Sequence, residues 1–209
     1  MDVDFCVRRS PGPGWWTLLA VRLAPFGVDL RAVRRSPWDA AVPDGRRDTA
    51  AALLTRKGLA GADLHAMLAE ADAVILACNQ TAENLGMVDD CFLNEMSRGA
   101  ALVNVARGGL FDRDAVLRAL ESGQLGYLAS DVAWQEPVDP SDPVVRHPNA
   151  YFTPHVGGVT DVSYETMGSI VAEESKRVLR GEAPGESVMV VNQEAAAAAR
   201  KALALAEDL

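Results

Sequence analysis

Short apolar runs alternate along the chain with segments in which apolar residues recur at helical spacing. The runs predict strands and the recurring segments predict helices. Strands are expected at residues 28–33, 73–78, 100–105, 126–132 and 150–152, and helices at 16–25, 62–71, 89–96, 113–122 and 161–180. Such alternation is typical of repeated βα units, and continuously apolar strands are typical of sheets covered on both faces. The pattern therefore predicts an α/β fold with a doubly wound parallel sheet.

The ends of the chain and two internal stretches give weaker patterns. Residues 3–7 suit a first strand, and the Ala-rich residues 193–209 predict a terminal helix. Residues 39–61 are polar and predict no definite element, whereas four prolines make residues 136–149 an irregular loop. We therefore expect a single domain over residues 1–192, followed by the terminal helix.

Charge and cysteine usage narrow the possible partners. The chain has 29 acidic and 20 basic residues, a net charge of −9, which argues against binding to nucleic acid or to an anionic membrane surface. Its three cysteines lack CxxC spacing, so neither a disulfide framework nor a metal site is expected. The chain starts with acidic residues, unlike a signal peptide, and contains no apolar run near the ~18 residues of a membrane span. These features predict a soluble, cytoplasmic protein.

Three candidate catalytic residues, Arg107, Glu136 and His155, each follow a predicted strand. Open α/β folds bind ligands at the carboxyl edge of the sheet, so we expect these side chains to gather there. A histidine can move a proton at neutral pH, a carboxylate on its other ring nitrogen fixes its tautomer, and an arginine can grip a substrate carboxylate. Together they suit reduction of a 2-keto acid, although each alone also fits an ordinary loop position.

The same residues lie in three motifs that follow one another in a fixed order. These are Asn104-Val-Ala-Arg-Gly-Gly, Asp131-Val-Ala-Trp-Gln-Glu-Pro and Thr153-Pro-His-Val-Gly-Gly. From about Leu18 to Asn192 the chain resembles the NAD(P)-binding domain of the D-isomer-specific 2-hydroxyacid dehydrogenases, whose motifs are NxARGG, DVxxxEP and TPHxGG. The resemblance implies a Rossmann-like fold.

The resemblance also implies roles for individual residues. Arg107 would clamp the substrate carboxylate, His155 would act as acid and base, and Glu136 would be the partner of His155. Asp131 would lie near the nicotinamide. The residues that would line the cofactor are Cys78, Val105, Ala106, Arg107, Asp131, His155, Gly157 and Gly158. The implied partners are a small 2-keto or 2-hydroxy acid, NAD or NADP, and a second copy of the chain in a homodimer.

The phosphate-binding loop departs from the family pattern. A dinucleotide fold needs G-x-G-x-x-G between its first strand and first helix, so that backbone amides can meet the pyrophosphate. The register of the first helix places these glycines where the chain has Pro11, Pro13 and Trp16. Proline has no amide hydrogen to donate, so residues 1–17 are expected to form a degenerate loop region. Gly12 and Gly14 lie one residue out of register, and a helix that begins one residue later would leave a loop that still binds. The family's N-terminal substrate domain is also missing, which favours a truncated or frameshifted chain whose frame resumes after this region.

Two smaller departures affect the cofactor and the substrate. Arg34 and Arg35 stand where the family usually has an acidic residue that holds the adenosine ribose. Arginines there favour a 2′-phosphate, and hence NADP over NAD, although a solvated basic turn fits equally well. The stretch Asn79-Gln80-Thr81 replaces a common Pro-Leu-Thr turn, which leaves the identity of the substrate open.

The sequence thus supports two functions. The first is an NAD(P)-dependent oxidoreductase that acts on the CH–OH group of 2-hydroxy acids. The second is an inactive remnant of the same family, or a module that only binds nucleotide or dimerises. A dehydrogenase needs a cleft that excludes water around the transferring hydride, and a second domain normally closes it.

Overall fold

The structure, a computed structural model, describes residues 2–7, 15–34 and 52–182. Pro11, Pro13, Arg35 and the predicted terminal helix lie outside the described residues. The strands are β1 (Asp2–Val7), β2 (Asp29–Arg34), β3 (Arg56–Leu59), β4 (Ala73–Ala77), β5 (Ala100–Asn104), β6 (Leu125–Ser130) and β7 (Ala150–Phe152). The helices are α1 (Trp15–Leu23), α2 (Ala62–Leu68), α3 (Asp90–Glu95), α4 (Arg113–Glu121) and α5 (Asp161–Leu179).

The described strands form one seven-stranded sheet in the order β3-β2-β1-β4-β5-β6-β7, and every neighbouring pair is parallel. Strand β1 therefore lies in the middle, with β2 on one side and β4 on the other. The chain crosses at β1 from one half of the sheet to the other, the arrangement that defines a doubly wound fold. The predicted fold class is confirmed.

Strand β3 is the element that the sequence pattern did not predict. Two of its four residues are charged, Arg56 and Lys57, and among the described strands it pairs with β2 alone, at the edge of the sheet. Edge strands carry charged residues more readily than central ones, so the apolar signal is absent here. Gly58 is its buried residue, and a Cβ there would lie 2.7 Å from the Cβ of Asp63.

Two apolar clusters cover the two faces of the sheet. Residues of α2, α3 and α4, such as Leu68, Leu93 and Val116, pack on one face. On the other face α1 contributes Ala20, which packs in a cluster with Ile75 of β4. The neighbours of Ile75 in β4 belong to the first cluster, because successive side chains of a strand point to opposite faces. Each fully buried leucine contributes about 1.5–3 kcal/mol.

The chain divides into two compact units, Met1–Gly157 and Gly158–Leu209. The first contains the whole sheet and helices α1 to α4. In the second, α5 begins after Thr160, whose hydroxyl accepts a hydrogen bond of 3.1 Å from the amide of Ser163. Among the described residues, no helix is long and apolar enough to cross a bilayer.

Candidate active site

The carboxyl ends of β5, β6 and β7 are in register at one edge of the sheet. Asn104 pairs with Ser130, and Ser130 pairs with Phe152. The segments that leave these strands carry Arg107, Glu136 and His155 respectively. Parallel pairing by itself brings the segments that follow these strands to the same edge of the sheet. The order of strands and residues along the sequence was therefore sufficient to predict that these three residues lie at one edge.

A direct hydrogen bond joins His155 and Glu136. The distance between His155 Nδ1 and Glu136 Oε2 is 2.8 Å, and the two side chains are 45% and 40% exposed. The hydrogen bond from His155 is the main reason why the pKa of the Glu136 carboxyl is lowered, and a 3.0 Å bond from the amide of Ala133 acts in the same direction. An ionised carboxylate can only accept, so Nδ1 carries the proton and Nε2 is the ring nitrogen left for a substrate.

His155 has an unusual backbone conformation. Its φ is 55°, in the left-handed region, and among the described residues no other non-glycine residue has a positive φ. That region costs an L-residue about 1–2 kcal/mol, so the surrounding segment must hold it there. The amide of His155 donates to the carbonyl of Thr153 at 2.9 Å, and the amide of Thr153 donates to the carbonyl of Ser130 at 3.0 Å. The histidine therefore sits in a tight turn tied to the end of β6.

Arg107 lies in a turn that a buried asparagine closes. The Asn104 side chain is fully buried; its Oδ1 accepts from the amide of Ala106 at 2.9 Å and its Nδ2 donates to the carbonyl of Arg107 at 3.0 Å. The guanidinium of Arg107 is exposed and donates to the carbonyl of Ala106 at 2.7 Å. The sequence predicted no role for Asn104, although its position at the head of the motif was the available signal.

Close backbone contact brings the Arg107 turn to the histidine pair. A Cβ on Gly108 would lie only 1.8 Å from the carbonyl oxygen of Ala133, so only a glycine allows the turn to meet the loop that carries Glu136. The positive charge of Arg107 contributes, after the hydrogen bonds, to the lowered pKa of Glu136. The three side chains predicted to gather at this edge do so.

Asp131 lies between β6 and the histidine segment. Its Oδ2 accepts from the amide of Gly157 at 2.8 Å, and its Oδ1 accepts from the amide of Val156 at 2.9 Å and from the hydroxyl of Thr153. Partial burial favours the neutral form of the carboxyl, but the hydrogen bonds from Thr153, Gly157 and Val156 outweigh it and lower the pKa of Asp131.

Some of the other residues predicted to line the cofactor also lie at this edge of the sheet. Cys78 directly follows β4 and Ala106 is the second residue after β5, and both are buried, whereas Val105 between β5 and Ala106 is 48% exposed. Arg34, the last residue of β2, is buried rather than solvated. Gly158 is exposed and belongs to the second unit.

The turn after β4 persists despite its altered sequence. The amide of Thr81 donates to Asn84 Oδ1 at 2.6 Å, and Asn84 Nδ2 donates to the carbonyl of Asn79 at 2.9 Å. The side chain of Gln80 lies over Gly109, where a Cβ would be 2.5 Å from its Oε1. Gln80 therefore borders the turn that carries Arg107.

In doubly wound folds a dinucleotide binds at the carboxyl ends of the strands where the strand order reverses, which here are β1 and β4. The exposed Val105 directly follows the neighbouring β5. Of the three positions where the phosphate loop is expected to have glycine, Pro11 and Pro13 lie outside the described residues. The third, Trp16, is the second residue of α1.

The strand order and the residues at the carboxyl edge define a Rossmann-like dinucleotide-binding domain. The family model described as "D-isomer specific 2-hydroxyacid dehydrogenase, NAD binding domain" matches residues 17–157. The chain belongs to this family.

The chain is also similar to individual dehydrogenases and reductases. Glyoxylate reductase/hydroxypyruvate reductase of Mus musculus is 32% identical over 117 residues, which cover 56% of this chain and 36% of that protein. Glyoxylate reductase of Korarchaeum cryptofilum (strain OPF8) is 35% identical over 131 residues, which cover 63% of this chain and 39% of that protein. The structure of a Granulicella formate dehydrogenase is similar to that of this chain, with a TM-score of 0.74 and 25% sequence identity. The matched part covers 90% of this chain and 47% of the formate dehydrogenase. The chain spans less than half the length of each of these three relatives.

Proposed function

We propose that this chain is the catalytic and cofactor-binding part of an NAD(P)-dependent oxidoreductase that interconverts a 2-hydroxy acid and a 2-keto acid. The observation that supports it best is the 2.8 Å bond between His155 and Glu136 at the sheet edge that also carries Arg107. The membership of the family and the similarity to glyoxylate reductases point to the same chemistry.

The chemistry that a nicotinamide would supply here, when bound, is the donation or acceptance of a hydride. Arg107 releases its bond to the neighbouring carbonyl and holds the substrate carboxylate through two parallel hydrogen bonds. This orients the substrate carbonyl toward Nε2 of His155, which donates a proton to the oxygen during reduction and removes it during oxidation. Glu136 keeps Nδ1 protonated and fixes the plane of the ring, so that only Nε2 faces the reacting atom.

The cofactor would lie along the carboxyl edge. Four residues of the first unit, Cys78, Val105, Ala106 and Gly157, would line its nicotinamide end, next to the reacting groups. We favour NADP slightly over NAD, since Arg34 and Arg35 stand at the ribose position and a guanidinium suits a 2′-phosphate. The homodimer and the cytoplasmic location expected from the sequence stay predictions.

A second candidate is an inactive remnant of the family, or a nucleotide-binding or dimerisation module without turnover. Pro11 and Pro13 at two of the expected glycine positions favour the remnant or the dimerisation module, because neither proline can donate an amide hydrogen to a phosphate. The chain also spans less than half of its relatives, whose remaining part would have to close the cleft.

Fluorescence titration with NADH and NADPH separates the two candidates. The dehydrogenase predicts micromolar binding, tighter for NADPH, and oxidation of the bound cofactor when glyoxylate or hydroxypyruvate is added. A module that binds nucleotide without chemistry predicts a titration curve and no oxidation. Absence of binding at millimolar cofactor would contradict both nucleotide-dependent functions and leave the inactive remnant.

A further inference from the structure

The Asp131 carboxylate is occupied by donors of a single short segment. Its oxygens accept three hydrogen bonds, from the Thr153 hydroxyl and from the amides of Val156 and Gly157. The donors lie on both sides of His155 in the chain, so the carboxylate closes residues 153–157 into a loop with the histidine at its tip. The cofactor contact implied by the family resemblance leaves this arrangement unexplained.

Donors from the protein fill most of the lone pairs of the Asp131 carboxylate. A carboxylate offers about four lone-pair sites, and protein donors fill three of them. A Cβ on Gly157 would lie 2.8 Å from Asp131 Oδ2, so the backbone approaches the carboxylate too closely for a side chain. Because the backbone lies so close, the amide of Gly157 can donate to the carboxylate, and this hydrogen bond holds the loop against the end of β6.

The closed loop accounts for the left-handed backbone of His155. The φ of 55° is unfavourable for an isolated histidine, and no helix or strand encloses it. The bonds on either side of the residue fix the direction of its Cα–Cβ bond. That direction aims the ring at Glu136, from which it lies 2.8 Å away.

We propose that Asp131 is a positioning residue that acts through His155: by closing the 153–157 loop it aims the imidazole at Glu136 and at the substrate. The proposal rests on the proposed dehydrogenase function, in which His155 transfers the proton. It differs from a cofactor contact in what the loss of Asp131 changes. Positioning predicts a misplaced histidine with normal cofactor binding, whereas a cofactor contact predicts weak cofactor binding with an intact loop.

The variants are Asp131→Asn and Asp131→Ala, with Asp139→Asn as a matched control. Asp139 is also a loop carboxylate that accepts a backbone amide and a hydroxyl, both from Ser141, at 2.8 and 2.7 Å. Thr153→Val removes one donor and keeps both amides, and Thr153→Ser restores the hydroxyl. Each variant is first compared with the native chain by urea unfolding, so that global unfolding is recognised.

The first readout needs neither cofactor nor turnover. Hydrogen exchange of the Val156 and Gly157 amides should become roughly tenfold faster or more in both Asp131 variants, because bonds to a charged acceptor are lost. The Nδ1 signal of His155 in ¹⁵N spectra should move toward that of a solvated ring as the bond to Glu136 weakens. Thr153→Val should give a smaller change in the same direction, Thr153→Ser should restore native values, and Asp139→Asn should leave both unchanged. Native exchange and a native His155 signal in Asp131→Ala overturn the proposal.

The second readout uses the cofactor-loaded chain. Asp131→Asn should lower kcat about tenfold or more, while the Kd of NADPH or NADH changes by less than about twofold. A large rise in the cofactor Kd with an unchanged exchange rate would instead assign Asp131 to cofactor binding and overturn the proposal. If the native chain shows no turnover but loop exchange and the His155 signal respond as expected, the positioning role stands and the proposed function fails.

Discussion

Replacing Asn104 by alanine should destabilise the chain and disorder the turn that carries Arg107. The side chain is fully buried, and both of its polar groups are bonded to the backbone of this turn. Removal leaves the buried amide of Ala106 without an acceptor, which costs about 1–3 kcal/mol. Loss of the bond to the Arg107 carbonyl costs a further 0.5–1.5 kcal/mol, roughly. We expect a total of about 1.5–4.5 kcal/mol.

Asn84 provides a matched control for this experiment. Its side chain closes the turn after β4 in the same manner, accepting from the amide of Thr81 at 2.6 Å and donating to the carbonyl of Asn79 at 2.9 Å. That turn is partly exposed, so water can replace the lost partners, and Asn84→Ala should cost about 1 kcal/mol or less. Any large difference between the two variants therefore reports burial of the Asn104 bonds.

Urea unfolding measures both variants under identical conditions. The midpoint of Asn104→Ala should fall well below that of Asn84→Ala, with an unchanged dependence of the free energy of unfolding on urea. Asn104→Asp should be at least as unstable as the alanine variant, because it places a charge in a buried site and turns an oxygen toward the Arg107 carbonyl. Equal stability of the Asn104→Ala and Asn84→Ala variants would refute the reasoning.

Two further predictions concern the same edge of the sheet. Gly108→Ala should lower the free energy of unfolding in urea by about 3 kcal/mol or more, because its Cβ would lie 1.8 Å from a backbone carbonyl oxygen. Gly109→Ala is the control: its Cβ would meet only the end of the flexible Gln80 side chain, so the loss should stay within about 1 kcal/mol. Equal losses in the two variants would contradict this prediction. The pKa of Glu136 is lowered in the folded chain, so its stabilising contribution is present above the unfolded pKa of about 4.3 and is lost as the pH falls through the folded value. The free energy of unfolding should therefore fall more steeply below about pH 5 in the native chain than in Glu136→Gln, and parallel curves would show that the carboxylate contributes nothing.

The apolar strands were predictable because burial on both faces imposes continuous apolar runs. Strands β4 and β5 were predicted to within one residue at their ends, and β7 matches its prediction. Strand β3 was not predicted, since Arg56 and Lys57 lie in the outermost of the described strands, where a continuous apolar run is not required. The predicted helices α1 to α4 are all shorter in the structure, because periodicity alone does not show where a helix ends.

The gathering of the site was predictable, but the way in which it is held was not. Parallel strands bring the residues that follow them to one edge, so the positions of Arg107, Glu136 and His155 followed from sequence order. The supporting bonds of Asn104 and Asp131 depend on how loops close in space. A sequence pattern shows that such polar residues are present, but it does not show which backbone amides they meet.

The relatives are at least twice as long as the part they share with this chain, and that part contains the hydrogen-bonded pair of His155 and Glu136. In the proposed function, a closed cleft would exclude water around the transferring hydride.

The central claim is that His155 transfers the proton, and single-turnover oxidation of bound NADPH or NADH by glyoxylate tests it most directly. His155→Ala should be slowed by at least about 100-fold, the usual contribution of a positioned acid, with cofactor affinity unchanged. His65→Ala removes a histidine that makes a similar bond to Glu95 on the exposed surface between α2 and α3, and it should react at the native rate. Equal rates for the native chain and His155→Ala would contradict the claim.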